Sequence, residues 1–332
     1  MVHEMSLARL ARSARPLIVL GAVGLGILLI GQGIPYFATS ANVVNILIQA
    51  AIVAVAACGM TLVLLTAGID PSVGGVISLV GVLEAVLMTS GTPWLLAVCI
   101  GLAAGGAIGL VNGLMVARLK LPSFIATFGT LGIASGLALY IADVKKISLL
   151  PDAFVNVGNG SLGGVPYLVL IALAVLALLE LALGATIWGV WLRAVGDAPV
   201  AARLNGVRLE RTLTSAYTAS GVLAAGAGTL LAANLSTASP LQGEPYTLAA
   251  IAACVVGGVD LMGGRGRLWA AVIGTVFLAA LRDALNLMGV QPFMQSLVIG
   301  CLIILAVFLT TRSPQFRRWA HNTLGRRTRS AT

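Results

Sequence analysis

The chain reads as long apolar runs separated by short polar breaks. Ten such runs lie near residues 17–36, 43–65, 73–90, 93–117, 123–142, 165–187, 212–234, 247–262, 267–285 and 293–311. A hydrocarbon core of roughly 30 Å is crossed by about 20 apolar residues in a helix, the length of most of these runs. Apolar residues are continuous within them rather than alternating, which argues against a transmembrane β-barrel. The eighth run is short and ends in glycines, so it is expected to be interrupted or re-entrant, and nine full spans is the alternative count. The predicted fold class is all-α: a polytopic membrane protein of about ten transmembrane helices.

Composition agrees. Of 332 residues, 59% are hydrophobic and 9% charged, with a mean hydropathy of +1.03. A soluble domain carries about 25% charged residues. The 40 glycines suit close helix packing in lipid. Cys58, Cys99, Cys254 and Cys301 each fall in an apolar run, without metal or disulfide spacing, and are read as packing residues. The longest outer loop, 143–164, is too short to fold alone. The N-terminus mimics a signal peptide, but no small-x-small cleavage site follows residue 30, so 17–36 is read as a first span.

Charge then sets an orientation. With the N-terminus inside, the tails and the inner loops hold seventeen of the 20 Lys and Arg; the exceptions are Lys145, Lys146 and Arg282. That asymmetry predicts cytosolic N- and C-termini. The net charge of +9 is therefore topological; it suits anionic lipid headgroups and makes no case for nucleic acid. The organisation expected is a cytosolic tail 1–16, one membrane domain 17–311 with a polar inner loop 188–211, and a basic cytosolic tail 312–332.

That inner loop holds a polar island, Arg193 to Gly206, read as a helix of about two turns. Asp197 is placed as its N-cap and Pro199 in its first turn, and Gly206 takes the left-handed stop. Val200, Ala201, Leu204 and Val207 fall on one face, with Arg203 on another. A capped amphipathic helix in a greasy protein implies that something docks there. No GxxxxGK[ST] motif is present, so ATP is not bound in the usual way, and His3 and His321 lie in tails, which removes a histidine base or metal ligand from the spans.

Few charges sit at membrane depth. Asp70 lies in a Gly/Pro-broken segment and is read either as a pathway residue or as an N-cap before Pro71-Ser72. Asp260 is expected to pair with Arg265 or Arg267. Glu84 is a pathway residue or is buried against a polar group, Glu180 faces a partner subunit, and Arg282-Asp283 snorkels to the interface. Asn112, Thr127 and Thr130 are neutral hydrogen-bonding residues, suited to a polyhydroxylated solute or to helix–helix bonds. A weak internal echo relates Gly68-Ile-Asp-Pro-Ser-Val-Gly-Gly75 to Gly258-Val-Asp-Leu-Met-Gly-Gly264, with Asn112 and Asn286 further on; an odd helix offset would invert the second copy.

Five blocks in order carry a resemblance: GMTLVLLTAGIDPSVGG (59–75), GLVNGLMVARLKLPSFIATFGTLGIASGLAL (109–139), WLRAVGDAPVAARLNGV (191–207), YTLAAIAACVVGGVDLMGGRGRLWAAVIGT (246–275) and LNLMGVQPFMQSLVIGCLIILAV (285–307). Over roughly 40–310 the chain resembles the permease subunits of ribose/xylose/arabinose-type ABC sugar importers, within the branched-chain amino-acid permease superfamily. The resemblance implies a transport subunit without its own enzymatic activity or cofactor, in the bacterial cytoplasmic (inner) membrane. It implies cytosolic ABC ATPase subunits carrying ATP and Mg, a periplasmic or extracellular sugar-binding protein, and a second permease, identical or paralogous. The island then resembles the ATPase-coupling helix, with Asp197, Ala201, Ala202, Arg203 and Gly206 matching; Asp70, Ser72, Asn112, Phe124 and Thr127 are implied for the substrate pathway. The sequence departs at Pro71, where family members often have Leu, at Thr247, where a Glu is common, and around Arg282-Asp283. The expected cargo is a monosaccharide or similar polyol. Nucleosides or branched-chain amino acids in the same architecture are the alternative; a proton-coupled secondary transporter is another, and it leaves the loop helix unexplained.

Overall fold

The computed structural model describes residues 33–302 continuously, with Gly26, Gly31, Ile304, Leu305 and Phe308. The expected first span, the end of the tenth and both tails lie outside the described residues. The helices in chain order are α1 (Ser40–Leu65), α2 (Ser72–Thr89), α3 (Trp94–Ala117), α4 (Ser123–Ile141), α5 (Asp152–Asn159), α6 (Tyr167–Ala185), α7 (Ile187–Asp197), α8 (Pro199–Leu204), α9 (Leu209–Leu235), α10 (Glu244–Val256), α11 (Leu268–Leu287) and α12 (Pro292–Leu302); a two-stranded hairpin, β1 (Ser161–Leu162) and β2 (Val165–Pro166), precedes α6.

Proline sets many of the starts. Pro71, Pro93, Pro122, Pro151 and Pro166 immediately precede α2, α3, α4, α5 and α6. Proline fixes φ and has no N–H to leave unsatisfied at a helix entrance. The Thr39 hydroxyl instead caps α1, accepting the Asn42 N–H at 3.3 Å.

Among the described residues, seven helices are long and apolar enough to cross a membrane: α1, α2, α3, α4, α6, α9 and α11. The expected ten is not reached on these residues. The eighth apolar run forms only the short α10, which ends at Gly257 before Gly258 turns the chain at φ +82°. The run at 293–311 begins as the helix α12 at Pro292.

α1, α2 and α9 form the centre, with Ile52, Met60, Leu64, Ile77 and Val80 buried among Ala224, Ala227 and Leu231. α3 joins them through a glycine seam. Gly105, Gly109 and Gly113 recur every fourth residue and face α9 so closely that an added Cβ on Gly109 would lie 2.3 Å from the Tyr217 carbonyl oxygen. Small residues at this spacing let two backbones meet. The loop 143–164 folds on the bundle rather than alone: Ile147 bridges Ala238, and Phe154 of α5 is buried beside Ala232 and Ala233.

The two echoed segments lie at the same end of the bundle, and the helices that lead into them run parallel. Leu268 of α11 packs with Cys58 and Leu65 of α1, and Ala284 packs with Phe37 and Ile46, so α11 runs antiparallel to α1. α10 returns along α11, with Gly257 against Ala270 and Gly274 against Ala253, and so runs parallel to α1. The two broken segments meet at one end of the bundle, where the Gly264 N–H donates to the Leu65 carbonyl at 3.0 Å.

Candidate functional site

Two features stand out at that end: a buried polar chain around Asp70 and an exposed island beneath it. The segment 66–71 leaves helical geometry, yet its backbone is satisfied by side chains. The Ile69 N–H donates to Ser123 Oγ at 3.3 Å, and its carbonyl accepts from Thr127 Oγ1 at 3.1 Å, so the first turn of α4 grips Ile69 from both sides. Broken backbone survives at membrane depth only where protein satisfies it. Asp70 is 1% exposed. Its Oδ1 accepts the Ser72 N–H at 3.1 Å and the Ser72 hydroxyl at 2.5 Å, and its Oδ2 accepts the Ser220 hydroxyl at 2.9 Å. Asn112 Nδ2 donates to Ser72 Oγ at 2.9 Å, and Thr130 Oγ1 donates to Asn112 Oδ1 at 2.6 Å. One hydrogen-bonded chain therefore ties α2, α3, α4 and α9 together, with Asp70 as both an Asx-type cap of α2 and its inner anchor.

Of the expected pathway residues, Asp70, Ser72, Asn112 and Thr127 are thus gathered, but inside the protomer. Phe124 stands apart: it is exposed and stacks on Phe128 with ring centroids 5.6 Å apart. Beside it Gly129, Gly132 and Gly136 face open space on the same α4. Ser220 and Ser123 were not singled out from sequence; the polar string Thr212, Thr214, Ser215, Thr218 and Ser220 in an otherwise apolar run was the available signal. Pro71 and Thr247 also touch. Thr247 Oγ1 accepts the Gly74 N–H at 3.0 Å and donates to the Pro71 carbonyl at 3.3 Å, fastening α10 to the start of α2.

The island differs from its predicted form. Asp197 does not cap α8; it is the last residue of α7, and Ala198 takes the cap position at φ −154° without a side-chain bond. The sequence pattern runs the sixth span to 187 and leaves 188–211 as loop; residues 187–197 instead form the amphipathic helix α7. α8 ends as expected, with Gly206 at φ +81° and the Val207 N–H returning to the Ala202 carbonyl at 3.0 Å. Ala202 and Val207 are buried with Val195, whereas Val200 is 74% and Leu204 84% exposed. Val207 therefore faces inward rather than along the Val200–Leu204 edge. Ala201, Arg203 and Gly206 are exposed.

α7 links the island to the broken segments. Gly196 lies so close to both that an added Cβ would sit 2.0 Å from the Leu65 carbonyl oxygen and 2.5 Å from the Gly264 nitrogen. Asp197 packs against Gly264, whose φ of +71° a side chain would resist.

The remaining charges find local work. Asp260 pairs with neither Arg265 nor Arg267; its Oδ1 accepts the Met262 N–H at 2.9 Å, and Arg267 lies over Trp269. Glu180 Oε1 accepts the backbone N–H of Trp269 at 3.1 Å at the entrance of α11. Asp283 is buried and accepts from Asn42 Nδ2 at 2.6 Å rather than snorkelling. Glu84 is fully buried, accepts from Thr229 Oγ1 at 2.8 Å, and fits only because residue 101 is glycine. Cys58 and Cys254 are buried, Cys99 and Cys301 exposed, all as free thiols.

Comparison with known proteins agrees with this architecture. Residues 42–307 match the model of the family described as branched-chain amino acid transport system / permease component. The chain is 38% identical to the ribose import permease protein of Bacillus subtilis (strain 168), over 86% of this chain and 90% of the relative. It is 37% identical to the fructose import permease protein of Rhizobium meliloti (89% and 84%) and 35% identical to the D-allose transport system permease protein of Escherichia coli K12 (82% and 84%). No solved structure matches the chain. With its apolar helices, its broken segments and a family match over residues 42–307, the chain belongs to the branched-chain amino acid transport system permease family.

Proposed function

We propose that this chain is the membrane-spanning permease subunit of an ATP-driven importer that moves a monosaccharide or similar polyol. The sugar-import names of its relatives support the cargo class. In this reading the protein sits in a bacterial cytoplasmic membrane with both termini inside, and a solute-binding protein delivers cargo from outside. ATP and Mg are bound by cytosolic ATPase partners. The observation that carries the reading is the exposed apolar edge Val200–Leu204 on α8, held on a rigid base by buried Ala202. Force applied there passes through α7 to Leu65 and Gly264, and so to both broken segments. A two-state rearrangement of those segments is the step that switches access.

The pathway runs between two permease copies, along the open face of α4 marked by Phe124, Phe128 and Gly132. Asp70, Ser72, Asn112 and Thr127 act behind that face, holding α4 against α2. The test is reconstitution with the ATPase subunits. Leu204→Glu and Arg203→Glu are expected to cut ATP-dependent ribose uptake at least tenfold, about 1.4 kcal/mol of coupling, while membrane insertion is unchanged. Uptake at the unaltered level in Leu204→Glu overturns the docking role.

A further inference from the structure

A cavity of about 760 Å³ opens between the end of α3 and the start of α9, lined by Arg118, Arg211, Thr214, Thr218, Leu110 and Leu114 among others. It lies apart from the Asp70 chain and from the α8 edge. We propose that it binds the phosphodiester headgroup of an anionic phospholipid, with the acyl chain running along Leu110 and Leu114. The inference rests on the membrane orientation given under Proposed function only in naming the cytosolic leaflet.

Three observations converge on an anion. Arg118, at the end of α3, and Arg211, in α9, reach one cavity; both are exposed, and among the described residues neither lies within 4.0 Å of a carboxylate oxygen. Arg118 at the end of α3 is in a position that favours a cation, but Arg211 is in the first turn of α9, where the helix dipole disfavours one. Glu210, in the same turn and also lining the cavity, is the residue that dipole favours, yet it forms no ion pair with Arg211. A phosphate held between the two guanidiniums would give bidentate partners to both.

The walls then choose among sources of phosphate. Leu110 is exposed on α3, and Leu110 and Leu114 continue the cavity towards the middle of the spans. A free anion gains nothing from such a wall, whereas an acyl chain does. Thr214 adds a hydroxyl, while the Thr218 hydroxyl donates to the Thr214 carbonyl at 2.9 Å and the Ser215 hydroxyl accepts the Trp188 indole N–H at 2.8 Å. The close contact of Gly113 with Thr214 fixes the spacing of the walls.

The test places the full chain in nanodiscs of phosphatidylcholine with or without phosphatidylglycerol, and reads bound lipid by native mass spectrometry and thermal stability by melting. Phosphatidylglycerol is expected to be retained and to raise the melting temperature of the unaltered protein. Arg118→Gln/Arg211→Gln should weaken retention about thirtyfold, from about a fivefold loss at each charge. The single variants give partial losses and serve if the double variant does not fold. Lys120→Gln, on the same surface outside the cavity, should retain the lipid. Equal retention in the double variant, or equal retention of phosphatidylcholine, overturns the proposal. Stabilisation by inorganic phosphate alone in phosphatidylcholine discs overturns the lipid assignment. Loss of ribose uptake with lipid retention intact bears on the proposed function and not on this site.

Discussion

Asp70 and Asp260 sit in matching Gly-[Ile/Val]-Asp turns and make the same local bond: each Oδ1 accepts the N–H two residues on, at 3.1 Å from Ser72 and 2.9 Å from Met262. Beyond that they diverge. Asp70 is buried and is reached by Ser220 from across the bundle and, through Ser72, by Asn112 and Thr130. Asp260 is half-buried and closes its own loop, its N–H donating to the Arg265 carbonyl at 2.9 Å. The two turns touch each other and α7. One is anchored in the core and the other is closed mainly on itself. A carboxylate in a turn is therefore a common local device, and its energetic weight is set by what the rest of the chain brings to it.

The largest test of that contrast is Asp70→Ala. It strands the Ser72 N–H and the Ser72 and Ser220 hydroxyls in the interior, and a loss of about 3 kcal/mol or more is expected as a fall in melting temperature. Asp70→Asn keeps one acceptor oxygen and should recover part of the loss. Next is Gly196→Ala, which forces a methyl onto the Leu65 carbonyl; overpacking of about 1–3 kcal/mol should accompany reduced uptake, because both turns are displaced together. Ser220→Ala removes one donor and should cost about 1 kcal/mol by thermal unfolding. Asp260→Ala comes last, within about 0.5 kcal/mol, since its contact is local and near solvent. Equal melting shifts in Asp70→Ala and Asp260→Ala would dissolve the distinction.

Much of the scaffold was legible from the chain. The apolar runs at 43–65, 73–90, 93–117 and 123–142 became α1 to α4 with ends shifted by a few residues, because hydrophobicity and proline act locally. Gly206 was readable as a helix stop for the same reason. α7 was not, since an amphipathic helix starting right after Thr186 looks like the fraying end of α6. The expected Asp197 cap failed with it: a residue that ends one helix cannot also cap the next in the geometry Ala198 adopts. Pairings were also illegible. Arg265 and Arg267 are the obvious partners for Asp260 in sequence, yet a backbone N–H was nearer and better aimed.

The sequence by itself determined that this is an all-α membrane protein, where most of its helices begin and end, and that a polar island interrupts them, because burial in lipid and helix entry depend on neighbours along the chain. Only the tertiary structure decided which aspartate is an anchor, that Asn112, Thr130 and Ser220 converge on it, and that α7 wedges between the two echoed turns. Those outcomes depend on contacts between distant residues, and the glycine seams that permit them have no side chain to announce what they will meet.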